Sequence, residues 1–384
     1  MSLCFSSISV LLMVTLSLGC AGTIAIDEAA GSAGGMGGVG ATGGGPANPC
    51  VDTANDPHNC GLCGHDCLGG ACIEGRCQPV VLASGEAFPY TIISDGSTVF
   101  WANWSQGNGP ADNVPTILRA VGVDGVGLRT VGTAPYFPSA LHGDETSLYW
   151  YRSTINSQPA KGAVMKMAKS GGAPTILFDH TTDSQLGIAL GPSEVYWWPG
   201  KSASNPTPTA WKVTKDGAAA QPIGDTGTFS SAGQIEVDEN AVYALTGVSH
   251  GIVRLELAGG PPTILTDIET RWFLALDDAH VFFMSPEGLQ RVGKDGSDLT
   301  LLLADSQIGQ TLLDATHLYY ANNDGLRRVR KDGGGDELLV AEPLGPIPGP
   351  NAWGVNSLAQ DDRAVYFVLY DAKPGSGSIV KIAK

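Results

Sequence analysis

The residues best suited to chemistry are the cysteines, six of which lie close together in the chain. They are Cys50, Cys60, Cys63, Cys67, Cys72 and Cys77, with His58 and His65 among them. Thiolates and imidazoles at such short spacings suit tetrahedral zinc coordination. In an oxidising compartment the same cysteines would form disulfides, because so short a segment has too few apolar residues for a core of its own.

The N-terminus favours disulfides over zinc. Residues 8–18 form an apolar run with the length of a signal-peptide core, too short for a permanent membrane helix, so residues 1–19 are predicted to be an export signal. Behind such a signal, residues 50–78 are expected to be a small module held by three disulfides, whose pairing the spacing leaves open. No metal and no cofactor is expected.

Cys20 follows this apolar run directly. The segment ending in Leu18, Gly19 and Cys20 resembles the lipobox of bacterial lipoproteins, in which the cysteine is acylated and becomes the new N-terminus. Ser17 departs from that pattern, and no Lys or Arg precedes the apolar run. The resemblance implies an outer-membrane lipoprotein, since Ala21 follows the cysteine; the alternative is ordinary cleavage near the same place and free secretion.

Composition favours an all-β chain with a flexible N-terminal segment. Charged residues make up 16% of the 384 residues, while Gly numbers 52 and Pro 24, a balance typical of short strands and tight turns. The net charge of −16 excludes nucleic acid as an expected partner, because such a surface repels phosphates. Residues 20–49 are so rich in Gly that they are predicted to be a flexible linker.

From residue 79 onward the sequence repeats. A branched residue followed by aromatic or small residues recurs at intervals of 37 to 49 residues. The repeats begin at Val99, Leu148, Val195, Val242, Val281, Leu318 and Val365. Each interval has the length of one four-stranded blade, so residues 79–384 are predicted to form a seven-bladed β-propeller of antiparallel blades.

Turn residues recur in the same repeats. Asp-Gly or Gly-Gly pairs follow the predicted third strands and indicate two-residue hairpin turns, because these residues accept positive φ angles. Aspartates end the predicted first strands and are interpreted as turn caps. They are Asp95, Asp144, Asp238, Asp277, Asp314 and Asp361. His280 and His317 occupy equivalent turn positions, so repeat geometry explains them better than catalysis.

The last repeat lacks a fourth strand, and the segment after Gln78 looks like one. Residues 79–83 are therefore predicted to pair with residues 378–383 and to close the ring. The repeats, such as the one beginning at Leu318, resemble the YWTD repeats of LDL-receptor-type propellers, although the four-letter string is absent and that family has six repeats. The resemblance implies a propeller with an extracellular binding habit and names no ligand.

Aromatic residues in the first three repeats are the candidates for ligand contact. Trp101, Trp150 and Trp197 lie within second strands and are expected between blades. Trp104 and Trp198 lie just past those strands and are the two predicted contacts. Long connections at residues 102–115, 152–162, 199–209 and 370–377 are predicted to form a raised arc on one face.

Two functions remain open from the sequence. The favoured one is a non-enzymatic scaffold in the cell envelope or medium that binds an extracellular protein or glycan. The alternative is a hydrolase or lyase acting on extracellular polymers at the central channel. No zinc-protease motif, calcium loop or phosphate loop occurs in the chain, and no catalytic residue is predicted.

Overall fold

The computed structural model describes eleven ranges of the chain: residues 50–103, 115–134, 138–153, 162–180, 187–198, 209–225, 234–246, 251–271, 273–341, 355–369 and 375–384. The predicted signal, Cys20 and the Gly-rich linker lie outside them. No helix within these ranges combines the length and apolar character needed to cross a bilayer. Pro49–Lys384 forms one compact unit.

Seven four-stranded antiparallel sheets, called blades I to VII, follow one another along the chain. Blade I contains β4 (Pro89–Ser94), β5 (Thr98–Asn103), β6 (Thr116–Gly122) and β7 (Arg129–Ala134). Blade II contains β8 (Pro138–Gly143), β9 (Ser147–Ser153), β10 (Gly162–Ala168) and β11 (Thr175–His180). Blade III contains β12 (Ile188–Leu190), β13 (Glu194–Trp197), β14 (Thr209–Thr214) and β15 (Gln221–Asp225).

The remaining blades repeat this order. Blade IV contains β16 (Ile235–Val237), β17 (Ala241–Leu245), β18 (Ile252–Glu256) and β19 (Thr263–Thr266). Blade V contains β20 (Leu274–Leu276), β21 (His280–Ser285), β22 (Gly288–Gly293) and β23 (Thr300–Leu303). Blade VI contains β24 (Thr311–Leu313), β25 (His317–Asn322), β26 (Gly325–Arg330) and β27 (Glu337–Ala341). Blade VII contains β28 (Val355–Gln360), β29 (Ala364–Leu369), β30 (Gly377–Ala383) and β3 (Val80–Glu86).

The blades form a closed ring. Each first strand contacts the first strand of the next blade, and β28 of blade VII contacts β4 of blade I. Seven apolar clusters lie between neighbouring blades, one at each seam. Trp101, Trp150 and Trp197 are almost fully buried in these seams, as their second-strand positions predicted. The seven-bladed propeller is therefore confirmed.

The ring closes through a strand from the N-terminal end of the domain. β3 pairs antiparallel with β30, with Val80 opposite Lys381 and Glu86 opposite Gly377. This confirms the predicted closure, although the strand continues to Glu86 rather than ending at Ala83. The pairing is irregular in two places. Since this strand joins distant segments in one sheet, the edge of β30 in blade VII is paired rather than open.

The turns after third strands differ from the two-residue hairpins predicted. In blade I, the Gly125 amide donates to the Gly122 carbonyl, which gives a tight turn, but β7 begins only at Arg129. Gly125 has φ 84° and the equivalent Gly296 has φ 85°, so the glycines are needed for backbone geometry. The third and fourth strands of every blade also show a register shift.

The cysteine-rich segment is a compact module stapled by three disulfides, as predicted. Cys50 pairs with Cys63, Cys60 with Cys72, and Cys67 with Cys77. A short hairpin, β1 (Cys72–Ile73) and β2 (Arg76–Cys77), lies at its end. Because all six cysteines are paired, their thiolates are not available to coordinate zinc in this structure.

Candidate functional site

One face of the propeller is formed by the turns between first and second strands together with the turns between third and fourth strands. We call it the turn face; the connections between second and third strands leave from the opposite face, called the insertion face. Antiparallel pairing within each blade places the turns in this way. The recurring aspartates and lysines of the repeats lie on the turn face.

Each recurring aspartate caps its turn through one carboxylate oxygen. Asp144 Oδ1 accepts hydrogen bonds from the Thr146 and Ser147 amides at 2.9 Å each. Equivalent pairs of bonds occur at Asp95, Asp238, Asp277, Asp314 and Asp361. The predicted capping role is confirmed. A capped turn fixes where the second strand begins, which sets the register of the hairpin.

The second oxygen of these aspartates joins neighbouring blades. Five lysines follow third strands, and each reaches the capping aspartate of the preceding blade. The Nζ–Oδ2 distances are 2.8 Å for Lys169–Asp95, 3.4 Å for Lys215–Asp144, 2.8 Å for Lys294–Asp238, 3.1 Å for Lys331–Asp277 and 2.9 Å for Lys384–Asp314. Each of these lysines also lies over an aromatic ring of the preceding blade.

These contacts hold the aspartates ionised. Burial alone would raise the pKa of Asp144, but hydrogen bonds from two amides and from the Tyr149 hydroxyl, with the nearby Lys215 charge, lower it to about 2. The pKa of Asp314 is lowered still further by the same kinds of contact. Carboxylates committed in this way to turns and ion pairs are poor general bases, because abstracting a proton would break the seam.

Two clefts open on the turn face between neighbouring turns. One, of about 380 Å³, lies between blades I and II and is lined by residues that include Asp95, Asp144, Glu145 and Lys169. The other, of about 590 Å³, lies between blades V and VI. In each cleft the lysine pairs with one capping aspartate, and the other capping aspartate pairs with a lysine outside the lining. These carboxylates are therefore committed to contacts between blades.

Two titratable side chains occupy equivalent positions in first strands. His142 lies opposite Tyr149 in blade II, and Glu236 lies opposite Tyr243 in blade IV. Burial lowers the pKa of His142 to about 4, although a hydrogen bond with the backbone of Ile188 opposes the shift. Loss of surrounding water raises the pKa of Glu236 to about 7, with a hydrogen bond involving Gln234 opposing it. At neutral pH the histidine is therefore neutral, and the carboxyl holds its proton to a higher pH than an ordinary glutamate.

A different polar network lies at the closing seam. Glu86, only 2% exposed, belongs to β3 of blade VII, yet its partners belong to blade I. Its carboxylate accepts hydrogen bonds from Trp101 Nε1 at 3.0 Å and from the Asn103 amide, and Arg119 lies 3.6 Å away. In blade I the position equivalent to Glu86 is Ala134, which lies opposite Thr116 as Glu86 lies opposite Gly377. Within the part of the chain that the structure describes, Trp150 Nε1 of blade II has no acceptor.

The structure corrects one of the two predicted ligand contacts. Trp198 is fully buried, in the apolar cluster between blades III and IV with Tyr196 and Ala210. Its ring faces the same side of the strand as Tyr196 and packs into the seam, so it cannot touch a partner. Trp104 lies outside the described residues, as do most of the predicted arc connections. His280 and His317 begin second strands, which agrees with their interpretation as turn residues.

Sequence reasoning missed the lysines and Glu86. A signal for the lysines was present, because Lys precedes Asp-Gly at positions 215, 294 and 331 and precedes Ser-Gly-Gly at position 169. Their partners could have been found by aligning the repeats. The sequence carries no such signal for Glu86, because a glutamate at this position is not repeated in the other blades. Glu86 comes to lie beside Trp101 only when the ring closes.

The fold and its turn face define a seven-bladed β-propeller with an N-terminal disulfide module. No known family model matches the chain, and no curated protein matches it. Among solved structures, the propeller domain of the Trilobed protease from Pyrococcus furiosus is similar, with a TM-score of 0.53 at 10% identity over 77% of this chain and 95% of that one. The WD40 propeller of Doa1 gives 0.51 at 13% identity over 80% and 97%.

A third similar structure is the extracellular domain of BT4673 from B. thetaiotaomicron. Its TM-score is 0.52 at 11% identity, over 79% of this chain and 39% of that one. Identities this low show the propeller fold alone. The relation to YWTD repeats stays a prediction.

Proposed function

We propose that this chain is a non-enzymatic scaffold of the cell envelope or extracellular medium that binds a protein or glycan through its insertion face. The observation that carries the proposal is the unequal spacing of second and third strands. In blades VII, I, II and III, 7, 12, 8 and 11 residues separate these strands, whereas in blades V and VI only 2 do. Blade IV has 6, so the longer connections belong to neighbouring blades and the two short ones lie side by side on the other part of the ring.

The turn face supports the same proposal because its recurring charged side chains are already engaged in contacts between blades. Its recurring charges hold the seams together, so they are unavailable for chemistry on a substrate. A rigid ring that presents inserted segments on its other face is the arrangement in which loops recognise partners while the scaffold positions them.

The test is a pair of loop-shortened variants of residues 50–384. In the first, residues 104–115 are replaced by the two-residue connection of blade VI; in the second, residues 246–251 of blade IV are shortened in the same way as a control. Cross-linking to envelope extract, followed by mapping of cross-linked peptides, should lose its products in the first variant and keep them in the second. Equal products from both would contradict the proposal. Glycosidase treatment of the extract separates glycan from protein recognition.

The anchor is tested separately from binding. We expect acylation of Cys20 and attachment to the outer membrane through residues 20–49. The intact mass of the mature protein should show a diacylated cysteine at its N-terminus, and Cys20→Ser should release the protein into the medium. A mature wild-type chain without lipid would leave secretion as the answer.

One observation favours the alternative, an extracellular hydrolase or lyase. Glu236, on the first strand of blade IV, has a pKa of about 7, which suits a general acid or base. If this residue were catalytic, Glu236→Gln would abolish polymer cleavage by the intact protein without loss of folding. Wild-type protein that cleaves none of a panel of extracellular polysaccharides would dispose of this alternative.

A further inference from the structure

The disulfide module lies against the propeller at the place where the ring closes. β3, the closing strand, begins three residues after Cys77. Cys60, Cys67, Cys72 and Cys77 are buried, and they belong to the same apolar cluster as residues of blades VI and VII. Among the blade residues of that cluster are Tyr319, Leu358, Val365 and Ile382. The module therefore shares a core with the propeller.

Leu68 links the two seams on either side of blade VII. Its side chain packs against the cluster between blades VI and VII and also against the cluster between blades VII and I. The backbone at Leu68 has φ 56°, and its amide donates to Asp66 Oδ1 at 2.7 Å. This turn between the cysteines thus places an apolar side chain where it contacts both faces of the closing blade.

Polar contacts join the module to blade VII as well. The His65 ring lies between two carbonyl oxygens, with Nδ1 2.6 Å from Cys60 O and Nε2 2.8 Å from Lys384 O. Arg363, in the first turn of blade VII, lies 3.9 Å from Asp66. Lys384 in turn pairs with Asp314 of blade VI. One end of the module is therefore held to the turn face of blades VI and VII.

We propose that the module is a redox-dependent clasp, in which the Cys67–Cys77 disulfide holds Leu68 and His65 on blade VII and so keeps β3 paired with β30. Reduction by an external dithiol breaks the S–S bond, places two electrons and two protons on Cys67 and Cys77, and closes the reductant to its own disulfide. The loop between them then loses its constraint, the contacts of Leu68 and His65 open, and the start of β3 loosens.

The Cys50–Cys63 disulfide provides a matched control. It spans 13 residues and Cys67–Cys77 spans 10, so the chain-entropy effect of removing either one is nearly the same. Cys63 is exposed and Cys50 half-buried, and neither belongs to the shared cluster. Any larger effect of removing Cys67–Cys77 therefore measures contact with the propeller.

The experiment compares amide hydrogen exchange in C67A/C77A and C50A/C63A variants of residues 50–384. We expect exchange in β3 and β30 to be at least about tenfold faster in C67A/C77A and to change less than about twofold in C50A/C63A. Equal exchange in β3 in the two variants, or acceleration confined to residues 50–78, would overturn the proposal.

A second variant keeps the test decisive if C67A/C77A does not fold. Leu68→Ala leaves all three disulfides and removes only the contact with the two seams. The clasp predicts faster exchange in β3 for this variant as well, together with faster reduction of Cys67–Cys77 by a dithiol. Unchanged exchange in β3 with intact disulfides would show that Leu68 does not hold the closing strand.

Discussion

The seams between blades fall into two groups on the turn face. Five carry a lysine–aspartate ion pair, and two do not. Between blades III and IV both partners are replaced, by Gly191 and Leu257. Between blades VII and I the aspartate, Asp361, is kept and the lysine position is Val123. The comparison shows two different ways in which a repeat protein dispenses with a repeated contact.

At the seam between blades III and IV the charge is lost on both sides together. A single partly buried lysine or aspartate would be desolvated without a partner, whereas Leu257 packs partly against the seam core. Tyr149, Tyr243 and Tyr366 at the equivalent position bond the capping aspartate. Tyr196 donates instead to Glu194 at 2.6 Å, and Lys212 pairs with Glu194 at 3.0 Å. At this seam the tyrosine and the lysine therefore bond a carboxylate of their own blade, blade III.

At the closing seam Asp361 has no lysine partner within the described ranges but keeps contacts that the lysine-bearing seams also make. Asp361 Oδ2 accepts the Tyr366 hydroxyl at 2.6 Å, and Lys381 Nζ donates to the Val123 carbonyl at 2.7 Å. Glu86 adds its buried network with Trp101. Because Glu86 bonds blade I from β3, the seam does not depend on a surface ion pair, which is worth only about 0–1 kcal/mol when exposed.

The largest effect is expected from removing the closing strand. Deletion of residues 80–83 should lower the thermal midpoint by more than about 10 °C, because blade VII loses its fourth strand and the ring opens. Deletion of residues 50–78 should lower it by much less. Calorimetry of the two variants checks this, and equal midpoints would refute closure through β3.

The next largest effect is expected at Glu86. Replacing it with Ala should destabilise the protein by about 3 kcal/mol, because Trp101 Nε1 and the Asn103 amide lose their buried acceptor and Arg119 its counter-charge. Glu194→Ala at the seam between blades III and IV is the control, and its more exposed pair should cost about 1 kcal/mol. Denaturant unfolding gives both values. Similar losses would mean that the two seams are not held differently.

A pH dependence is expected from His142, at the seam between blades II and III. Its pKa is about 4 in the folded protein and 6.5 ordinarily, so the unfolded chain takes up the proton first as pH falls. The stability present above pH 6.5 should therefore be lost towards pH 4, by about 2 kcal/mol between pH 7 and pH 5. His142→Ile, which copies Ile93 of blade I, should remove that part of the dependence.

Glu236→Gln is the control of opposite sign. The pKa of Glu236 is raised from 4.5 to about 7, so ionisation of the unfolded chain destabilises the fold as pH rises through this window. The variant should be more stable than wild type at pH 8 and nearly equal at pH 4. Unfolding curves at the two pH values decide the sign; a loss at pH 8 would contradict the assigned pKa.

The smallest effect is expected from introducing a lysine–aspartate pair at the seam between blades III and IV, which lacks one. Gly191→Asp and Leu257→Lys should each destabilise the protein alone, because each introduces an unpaired charge into the seam. Together they should show a favourable coupling of about 1 kcal/mol in a double-mutant cycle. A Cβ at Gly191 would lie 2.9 Å from the Tyr196 ring, so that ring must move slightly. Zero coupling would mean that the pair does not reform there.

The repeats predicted most of the fold because each blade is a local unit. Aromatic second strands, capping aspartates and glycine turns lie within about fifty residues of one another, and local patterning of this kind largely decides the blade. The pairing of residues near Val80 with β30 was also predicted, since a missing strand at one end and an extra strand at the other are visible in the alignment of repeats.

The candidate site was harder to predict. Trp198 was assigned to the surface because it follows a strand, but the facing blade buries it. The shared core of the module and blades VI and VII was not expected from a cysteine-rich segment treated as separate. Both errors concern surfaces that meet only after the ring has formed.

The sequence by itself determined the number of blades, the positions of their turns and the closing strand, because these follow from short-range periodicity. Only the tertiary structure decided which charges meet across seams, that Glu86 bonds Trp101, and that Leu68 contacts both sides of blade VII. The physical reason is that these contacts join different repeats or non-repeating segments, and their energies depend on burial and distance, which no residue pattern specifies until the ring is closed.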